Sequence, residues 1–332
     1  MRILTVEGWV VCRSDDGIRE LTRRRVELVL SFAAVTPTAL ASLILCCYFF
    51  SAASSSSSSF SIILIQTCIR MKLDLRRMAE SISSFWGPVT SPKECCEINY
   101  AYSPYIAEFY NTISNIPTIL LALIGLINAV RQRFEKRFSV LHLSNMTLAI
   151  GSMLYHATLQ NVTQQSDETP MVWEVLLYMY ILYSPDWHYR STMPIFLFVY
   201  GAVFAISHSV FHFGVSFKVH YIILCLLCTP RMYKYYIYTQ DVSAKRLAKL
   251  FVGTLALGSL FGVCDRVFCK EISRWPINPQ GHALWHVFMG FNSYFANTFL
   301  MFCRAQQRGW SPKVVHLLGG LPYVKIEKPK SQ

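Results

Sequence analysis

Residues 107–130 read AEFYNTISNIPTILLALIGLINAV, an apolar run that contains one acidic residue and no basic residue. About 20 mainly apolar residues are enough to cross the hydrocarbon core of a bilayer as a helix. A helix also satisfies its own backbone hydrogen bonds where no water is available. The run therefore predicts a membrane-spanning helix, and the rest of the chain is searched for runs of the same kind.

Similar apolar runs recur along the remaining sequence, and the connections between them are short. Helices joined by short connections pack as antiparallel neighbours in one bundle. The sequence therefore predicts an all-α membrane protein, a seven-transmembrane-helix bundle. Its seven spans are residues 107–130, 140–159, 170–184, 193–208, 219–235, 247–265 and 283–303.

The net charge of +12 is concentrated in particular connections. Lys and Arg fill the first and fifth connections and the tail after Cys303, whereas the second connection contains neither residue. Positive charge marks the cytoplasmic side of a membrane protein. We therefore expect the N-terminal side of the bundle to be lumenal and the C-terminus cytosolic, in the endoplasmic reticulum or Golgi. This placement argues against a nucleic-acid partner, and no obligate protein partner is evident.

The first 77 residues differ in composition from the rest. Three arginines at residues 23–25 precede an uncharged run at residues 28–50, as in a signal sequence or anchor. Pro37 interrupts that run, and Met78 is a possible alternative start, so this extension is signal-like, an anchor or dispensable. The predicted divisions are the extension (1–77), a lumenal segment with acidic residues (78–106), the seven-helix domain (107–303) and a basic cytosolic tail (304–332).

Two pairs of histidines have the spacing of a helical metal site. His282 and His286 begin the seventh run, and His208 and His212 end the fourth. Residues four apart lie on the same face of a helix, so two imidazoles can share one metal ion. Packing or interfacial histidines are the alternative, and the spacing alone does not choose between the pairs.

A third group of polar residues lies at the predicted lumenal side. Ser152 and His156 share one face late in the second run, at the same side of the membrane as His282 and His286. Three histidine nitrogens with one open position are typical of catalytic zinc, although a core histidine is the alternative. Asp167 and Glu168, predicted in the connection after His156, suit proton transfer or are solvated loop acids.

The segment before the first span contains several oxygen ligands, namely Glu94, Glu97, Asn99 and Glu108. Grouped oxygen ligands suit calcium, although an acid near a helix start is favourable without a metal. On the same predicted side, Cys95 or Cys96 could pair with Cys269, because an oxidising lumen permits disulfides.

Five of these stretches, in order, resemble the alkaline ceramidase family, including the plant and fungal phytoceramidases. The resemblance runs from about residue 85 to near the C-terminus. Its clearest pieces are FWGP (85–88), YIAEFYNTISN (105–115), GSMLYH (151–156), DETPM (167–171) and HALWH (282–286).

The resemblance implies a seven-helix intramembrane amidase that uses zinc to cleave ceramide within the bilayer, with phytoceramide or dihydroceramide as the expected substrate. It implies that Cys96 pairs with Cys269, that Glu94 replaces a familiar Asp and that Cys95 replaces a familiar Trp. The alternative is a seven-span lipid-binding receptor with a structural zinc site. The implied residues are zinc ligands His156, His282 and His286, catalytic Asp167 and Ser152, and calcium ligands Glu94, Cys95 (through its backbone carbonyl), Glu97, Asn99 and Glu108.

Overall fold

The computed structural model describes residues 3–6, 9–12, 84–91, 95–185, 192–275, 277–317 and 320–327. The chain divides into two units, Met1–Cys68 and Ile69–Gln332. In the first unit, strands β1 (Ile3–Val6) and β2 (Trp9–Cys12) pair antiparallel. The apolar run that predicts a signal or anchor lies outside the described residues.

The described part of the second unit is mostly helical. Each of the seven predicted spans contains one long helix, the first also contains a short one, and most helix ends differ from the prediction by a few residues. The helices are α1 (Phe109–Ile113), α2 (Ile116–Arg131), α3 (Lys136–Thr158), α4 (Asn161–Tyr183), α5 (Met193–Phe211), α6 (Val215–Tyr238), α7 (Val242–Val267), α8 (Cys269–Ile272) and α9 (Gly281–Gln307).

Among the described residues, three stretches are long and apolar enough to cross a membrane. They are Phe109–Arg131, Met193–Phe211 and Val242–Val267. Helices α3, α4 and α9 are comparably long, but they contain the histidines, acids and amides that face the interior. The chain is therefore mainly helical and membrane-associated.

Helix α3 shows how polar and apolar residues divide between its faces. His142, Asn145 and Ser152 are buried, whereas Leu143 and Leu154 are about half exposed, at 52% and 51%. A water-soluble helix has the opposite arrangement. The outward apolar face of α3 therefore suits contact with lipid.

The predicted first span is divided at Ser114 and Asn115, which lie between α1 and α2. Pro117 follows in the first turn of α2, where its missing N–H removes no helical hydrogen bond. Beyond this break, the start of α1 lies against the end of α3, where Glu108 N donates a hydrogen bond to His156 O.

Helix α4 corrects the sequence prediction for its start. It begins at Asn161, not at Pro170, so Asp167 and Glu168 lie on a helix and not in a connection. Pro170 is inside α4, where it lacks the N–H that would bond the carbonyl of Ser166. One missing bond does not end the helix, because α4 packs along α3 and the Ser166 carbonyl lies against Gly151 there.

The C-terminal tail is also more ordered than the all-α prediction allowed. Strands β3 (Ser311–Leu317) and β4 (Leu321–Glu327) form an antiparallel hairpin. Val324 is fully buried and Ile326 nearly so, in the same core cluster as residues of α2 and α9. These buried residues alternate with exposed Lys325 and Glu327, as expected for a strand with one buried face. With the N-terminal hairpin, this corrects the fold class to mainly α with two small sheets.

Candidate metal centre

Three histidines from two helices meet at one end of the bundle. His156 lies in the last turn of α3, and His282 and His286 lie in the first turns of α9. The ring centroids are 5.1 Å apart for His156 and His282, 4.8 Å for His156 and His286, and 4.6 Å for His282 and His286. All three side chains are buried. The structure therefore brings together the three residues predicted as zinc ligands.

His156 is oriented by Glu108. Its Nδ1 lies 2.7 Å from Glu108 Oε2, and both side chains are at most 2% exposed. A carboxylate on one ring nitrogen fixes the tautomer that leaves the other nitrogen available to a metal. Sequence reasoning placed Glu108 only among the calcium ligands and missed this contact, because residues 48 positions apart give no local signal.

The free ring nitrogens fit a metal ion. His156 Nε2 and His282 Nδ1 are buried and have no hydrogen-bond partner among the described residues. A buried polar atom without a partner is costly, so such atoms indicate a ligand. Neutral imidazole nitrogens are preferred zinc ligands. The residues present therefore fit the zinc that the sequence resemblance implies.

Cys95 approaches this centre through its side chain. A ring nitrogen of His156, a ring nitrogen of His282 and Cys95 Sγ all lie within 4.8 Å of one another. His286 is outside this compact set, and its Nδ1 instead lies 2.8 Å from Ser114 Oγ and 3.1 Å from Asn111 O. The sequence suggested a disulfide or a backbone contact to calcium for Cys95, so the approach of its thiol to the histidines is a feature that sequence reasoning missed.

The two predicted catalytic residues border the histidines. Ser152 is buried, and its Oγ accepts a hydrogen bond from Asn115 Nδ2 at 3.3 Å. The same Asn115 nitrogen lies 3.3 Å from His286 Nδ1, so Ser152 is next to the third histidine. Asp167 is half-buried on α4 and interacts electrostatically with the His156 imidazole. The arrangement can therefore hold a proton acceptor and a hydrogen-bond donor beside a metal.

The predicted calcium ligands surround Glu97. Its carboxylate accepts hydrogen bonds from the backbone N–H groups of Tyr110 at 2.7 Å and Asn111 at 2.9 Å. Burial, together with the charge of Glu108, raises the pKa of Glu97 to about 8, although these two hydrogen bonds lower it. Asn99 Oδ1 is buried with no partner among the described residues, whereas Glu94 lies outside them.

These oxygens fit a hard cation. Glu97 and Glu108 are both buried acids, and mutual repulsion between two carboxylates is relieved by a positive ion. Asn111 Nδ2 donates to Glu108 Oε2 at 3.0 Å, which holds Glu108 between His156 and this second group. Glu108 therefore borders both candidate metal positions.

Asp265 fastens the segment that contains Cys95 to the start of α9. Asp265 Oδ2 accepts from Cys96 N at 3.1 Å, and the carboxylate also accepts from the backbone of Gly281 and His282. A disulfide joins Cys96 to Cys269, with a Cα–Cα distance of 5.3 Å, which confirms the predicted pairing. The segment and the helix that presents His282 are thus held by one carboxylate.

The rival pair of histidines has a different environment. His208 Nε2 lies 2.7 Å from Glu168 Oε2, and Gln164 Nε2 donates to Glu168 Oε1 at 3.0 Å. The His208 ring is also stacked on Phe204, with centroids 5.3 Å apart. His212 is exposed beyond the end of α5, so this pair does not form a second metal centre.

Comparison with known proteins places this arrangement in context. Residues 87–325 match the family model described as Ceramidase. The chain is 79% identical over 255 residues to the alkaline ceramidase of Arabidopsis thaliana, covering 77% of this chain and 100% of that protein. It is 29% identical over 260 residues to alkaline ceramidase 3 of Mus musculus, covering 73% and 95%. It is 28% identical over 267 residues to an alkaline ceramidase of Drosophila melanogaster, covering 73% and 90%.

Proposed function

This chain belongs to the alkaline ceramidase family and hydrolyses the amide bond of ceramide, and we propose that it does so with a zinc ion held by His156, His282 and His286. The observation that supports this proposal most directly is the convergence of three buried imidazoles, two of them with a ring nitrogen that has no partner among the described residues. The products are a fatty acid and a sphingoid base. Membership of a hydrolase family disfavours the alternative of a non-catalytic lipid receptor.

Amide hydrolysis is difficult because the carbonyl carbon is a weak electrophile and the amine is a poor leaving group. Zinc, when bound, polarises a carbonyl and lowers the pKa of a water molecule to about 7. We assign Asp167 the transfer of the proton, from the attacking water to the departing nitrogen. Its half-buried position and its electrostatic contact with His156 support this role.

Ser152 is proposed to donate a hydrogen bond to the carbonyl oxygen as negative charge develops there. Asn115 already donates to Ser152 Oγ, so the serine hydroxyl hydrogen is left for another acceptor. Loss of one such donor costs roughly 3–4 kcal/mol of transition-state stabilisation. Asn115 therefore orients Ser152 and does not itself need to contact ceramide.

Calcium is proposed as a second, structural or regulatory ion. Glu97, Asn99 and Glu108 supply side-chain oxygens, and Glu94 and the Cys95 carbonyl complete the predicted set. The raised pKa of Glu97, caused by burial, and the nearby charge of Glu108 support a cation between them. Because Glu108 also contacts His156, calcium would act on the zinc ligands through this carboxylate.

We further propose that all seven long helices span the membrane, with the metal centre near the lumenal face and the C-terminus cytosolic. The outward apolar residues of α3 support this topology, as does the basic character of the first connection. Endoplasmic reticulum or Golgi is the proposed location. Both chains of ceramide then remain in hydrocarbon while the amide reaches the centre, and phytoceramide or dihydroceramide is the proposed substrate.

The test is hydrolysis of phytoceramide, dihydroceramide and ceramide by membranes that contain the full chain. We expect fatty-acid release that zinc chelation abolishes and that His282→Ala eliminates together with bound zinc. Asp167→Asn should lose hydrolysis but retain zinc, because Asp167 is not a ligand. Hydrolysis that survives both chelation and His282→Ala would refute the zinc mechanism.

A further inference from the structure

We propose that the Cys95 thiolate is a fourth protein ligand of the zinc ion and closes the site in the resting enzyme. The inference rests on the zinc of the proposed function, and it assigns that centre three nitrogen ligands and one sulfur ligand in place of three histidines and an open position. The thiolate must then leave before ceramide or the attacking water can take its place. The centre is thus latent until substrate displaces a residue of the protein.

The geometry supports a sulfur ligand directly. Cys95 Sγ and one ring nitrogen from each of His156 and His282 lie within 4.8 Å of one another, and all three residues are buried. The nitrogen–nitrogen and nitrogen–sulfur separations in a tetrahedral zinc site are about 3.5 Å, so small side-chain movements would close the set. The unpartnered nitrogens of His156 and His282 give evidence of a ligand that is independent of the cysteine.

The backbone next to Cys95 is fixed, which holds its thiol near the histidines. Cys96 is bonded to Cys269, and its N–H donates to Asp265. Asp265 also accepts from the backbone of His282. Cys96, the next residue after Cys95, and His282, a proposed zinc ligand, therefore donate to the same carboxylate, which limits the movement of the backbone beside Cys95.

The chemical consequence follows from the number of ligands. Zinc sites with four protein ligands are closed and structural, whereas catalytic sites keep one position open. Cysteine binds zinc as a thiolate, so closing the site releases one proton, and displacement by substrate allows the thiol to recover it. Cys95 therefore exchanges with an oxygen ligand, with no change in oxidation state.

The test is zinc X-ray absorption spectroscopy on the full chain, purified with its zinc. The wild-type protein should show one sulfur neighbour at about 2.3 Å besides nitrogen neighbours at about 2.0–2.1 Å. Cys95→Ser should lose the sulfur and give up zinc to a chelator at a concentration at least about tenfold lower. The matched control Cys228→Ser, on α6, should retain both properties.

The outcomes separate the two proposals. Wild-type protein that binds zinc with no sulfur neighbour overturns the role of Cys95 and leaves the zinc mechanism intact. Wild-type protein that binds no zinc overturns both. Saturation with a fatty acid, the reaction product, should replace the sulfur neighbour with oxygen. Sulfur that persists under saturation overturns the exchange, because the thiolate is then a permanent ligand.

Discussion

A Cβ atom at Gly151 would lie 1.9 Å from the carbonyl oxygen of Ser166, so α3 and α4 meet backbone to backbone at this point. Ser166 also donates from its Oγ to the carbonyl of Gly151 at 3.0 Å. Gly151 precedes Ser152, and Ser166 precedes Asp167. The close approach therefore sets the separation between the two proposed catalytic residues.

We expect Gly151→Ala to reduce ceramide hydrolysis by about 100-fold, because even a displacement of about 1 Å at a reacting group has such an effect. Bound zinc should remain near the wild-type level, since neither helix loses a ligand. Hydrolysis rates and zinc content of the purified protein measure the two effects. Gly253→Ala is the control, because nothing lies within 4 Å of a Cβ at that position on α7. Equal rates for the two variants would contradict the prediction.

Glu108→Gln should weaken zinc binding by about 10- to 100-fold, the range observed when partners of metal-ligating histidines are changed. Glutamine can still hydrogen-bond His156, but it lacks the negative charge that makes the imidazole a stronger ligand. Chelator competition gives the affinity. The exposed Glu271→Gln, on α8, controls for loss of one acid. An unchanged affinity in Glu108→Gln would show that its charge does not act on the centre.

Asp265→Asn should destabilise the protein by about 1–3 kcal/mol, because the change leaves buried backbone donors with a weaker acceptor. Loss of zinc should accompany this change, since the carboxylate holds the backbone of His282. Thermal unfolding and zinc content are the measurements. Asp241→Asn is the matched control, because Asp241 caps α7 by accepting from Ala244 N at 2.7 Å. Zinc loss to the same degree in both variants would argue against a specific role for Asp265.

Calcium should stabilise the protein more strongly as the pH rises. Burial raises the pKa of Glu97 to about 8 from its ordinary value of 4.5. In the cation-free protein, this group contributes stability below its unfolded pKa, and that contribution is lost as the pH rises through about 8. Calcium requires the carboxylate and compensates for its charge. The increase in melting temperature on adding calcium should therefore be larger at about pH 9 than at about pH 6, and Glu97→Gln should remove this difference.

Glu135→Gln should lower the free energy of unfolding by about 1 kcal/mol near neutral pH. Glu135 precedes α3 and accepts from Arg304 at 2.7 Å, and it also pairs with Arg308 and Arg137. Burial alone would raise its pKa, but the bond from Arg304 and the charge of Arg137 lower it overall. Its stabilisation is present above the unfolded pKa and is lost as the pH falls through the folded value. Denaturant unfolding should show the variant and wild type converging in acid, and a constant difference would contradict the assignment.

The sequence was most informative where periodicity and burial coincide. The apolar runs located all seven long helices, and the spacing of His282 and His286 placed both at the start of α9. Topology then brought His156 to the same end. The resemblance to the family added the choice of this pair over His208 and His212, which the spacing alone left open.

The misses have physical causes. Pro170 suggested a helix start, but packing against α3 compensates for its missing N–H. The C-terminal hairpin was missed because burial of Val324 depends on a surface formed by helices that are distant in sequence. The contacts of Glu108 with His156 and of Asp265 with Cys96 join residues 48 and 169 positions apart, so no local pattern could indicate them.

Glu108 contacts His156 on one side and belongs to the Glu97 group on the other. The proposed zinc and calcium ions would share this carboxylate and so could not bind independently. By thermodynamic reciprocity, the factor by which calcium changes the affinity for zinc equals the factor by which zinc changes the affinity for calcium. A change in calcium concentration would then change the occupancy of the zinc site, and sphingoid-base production would follow calcium without a separate sensor domain.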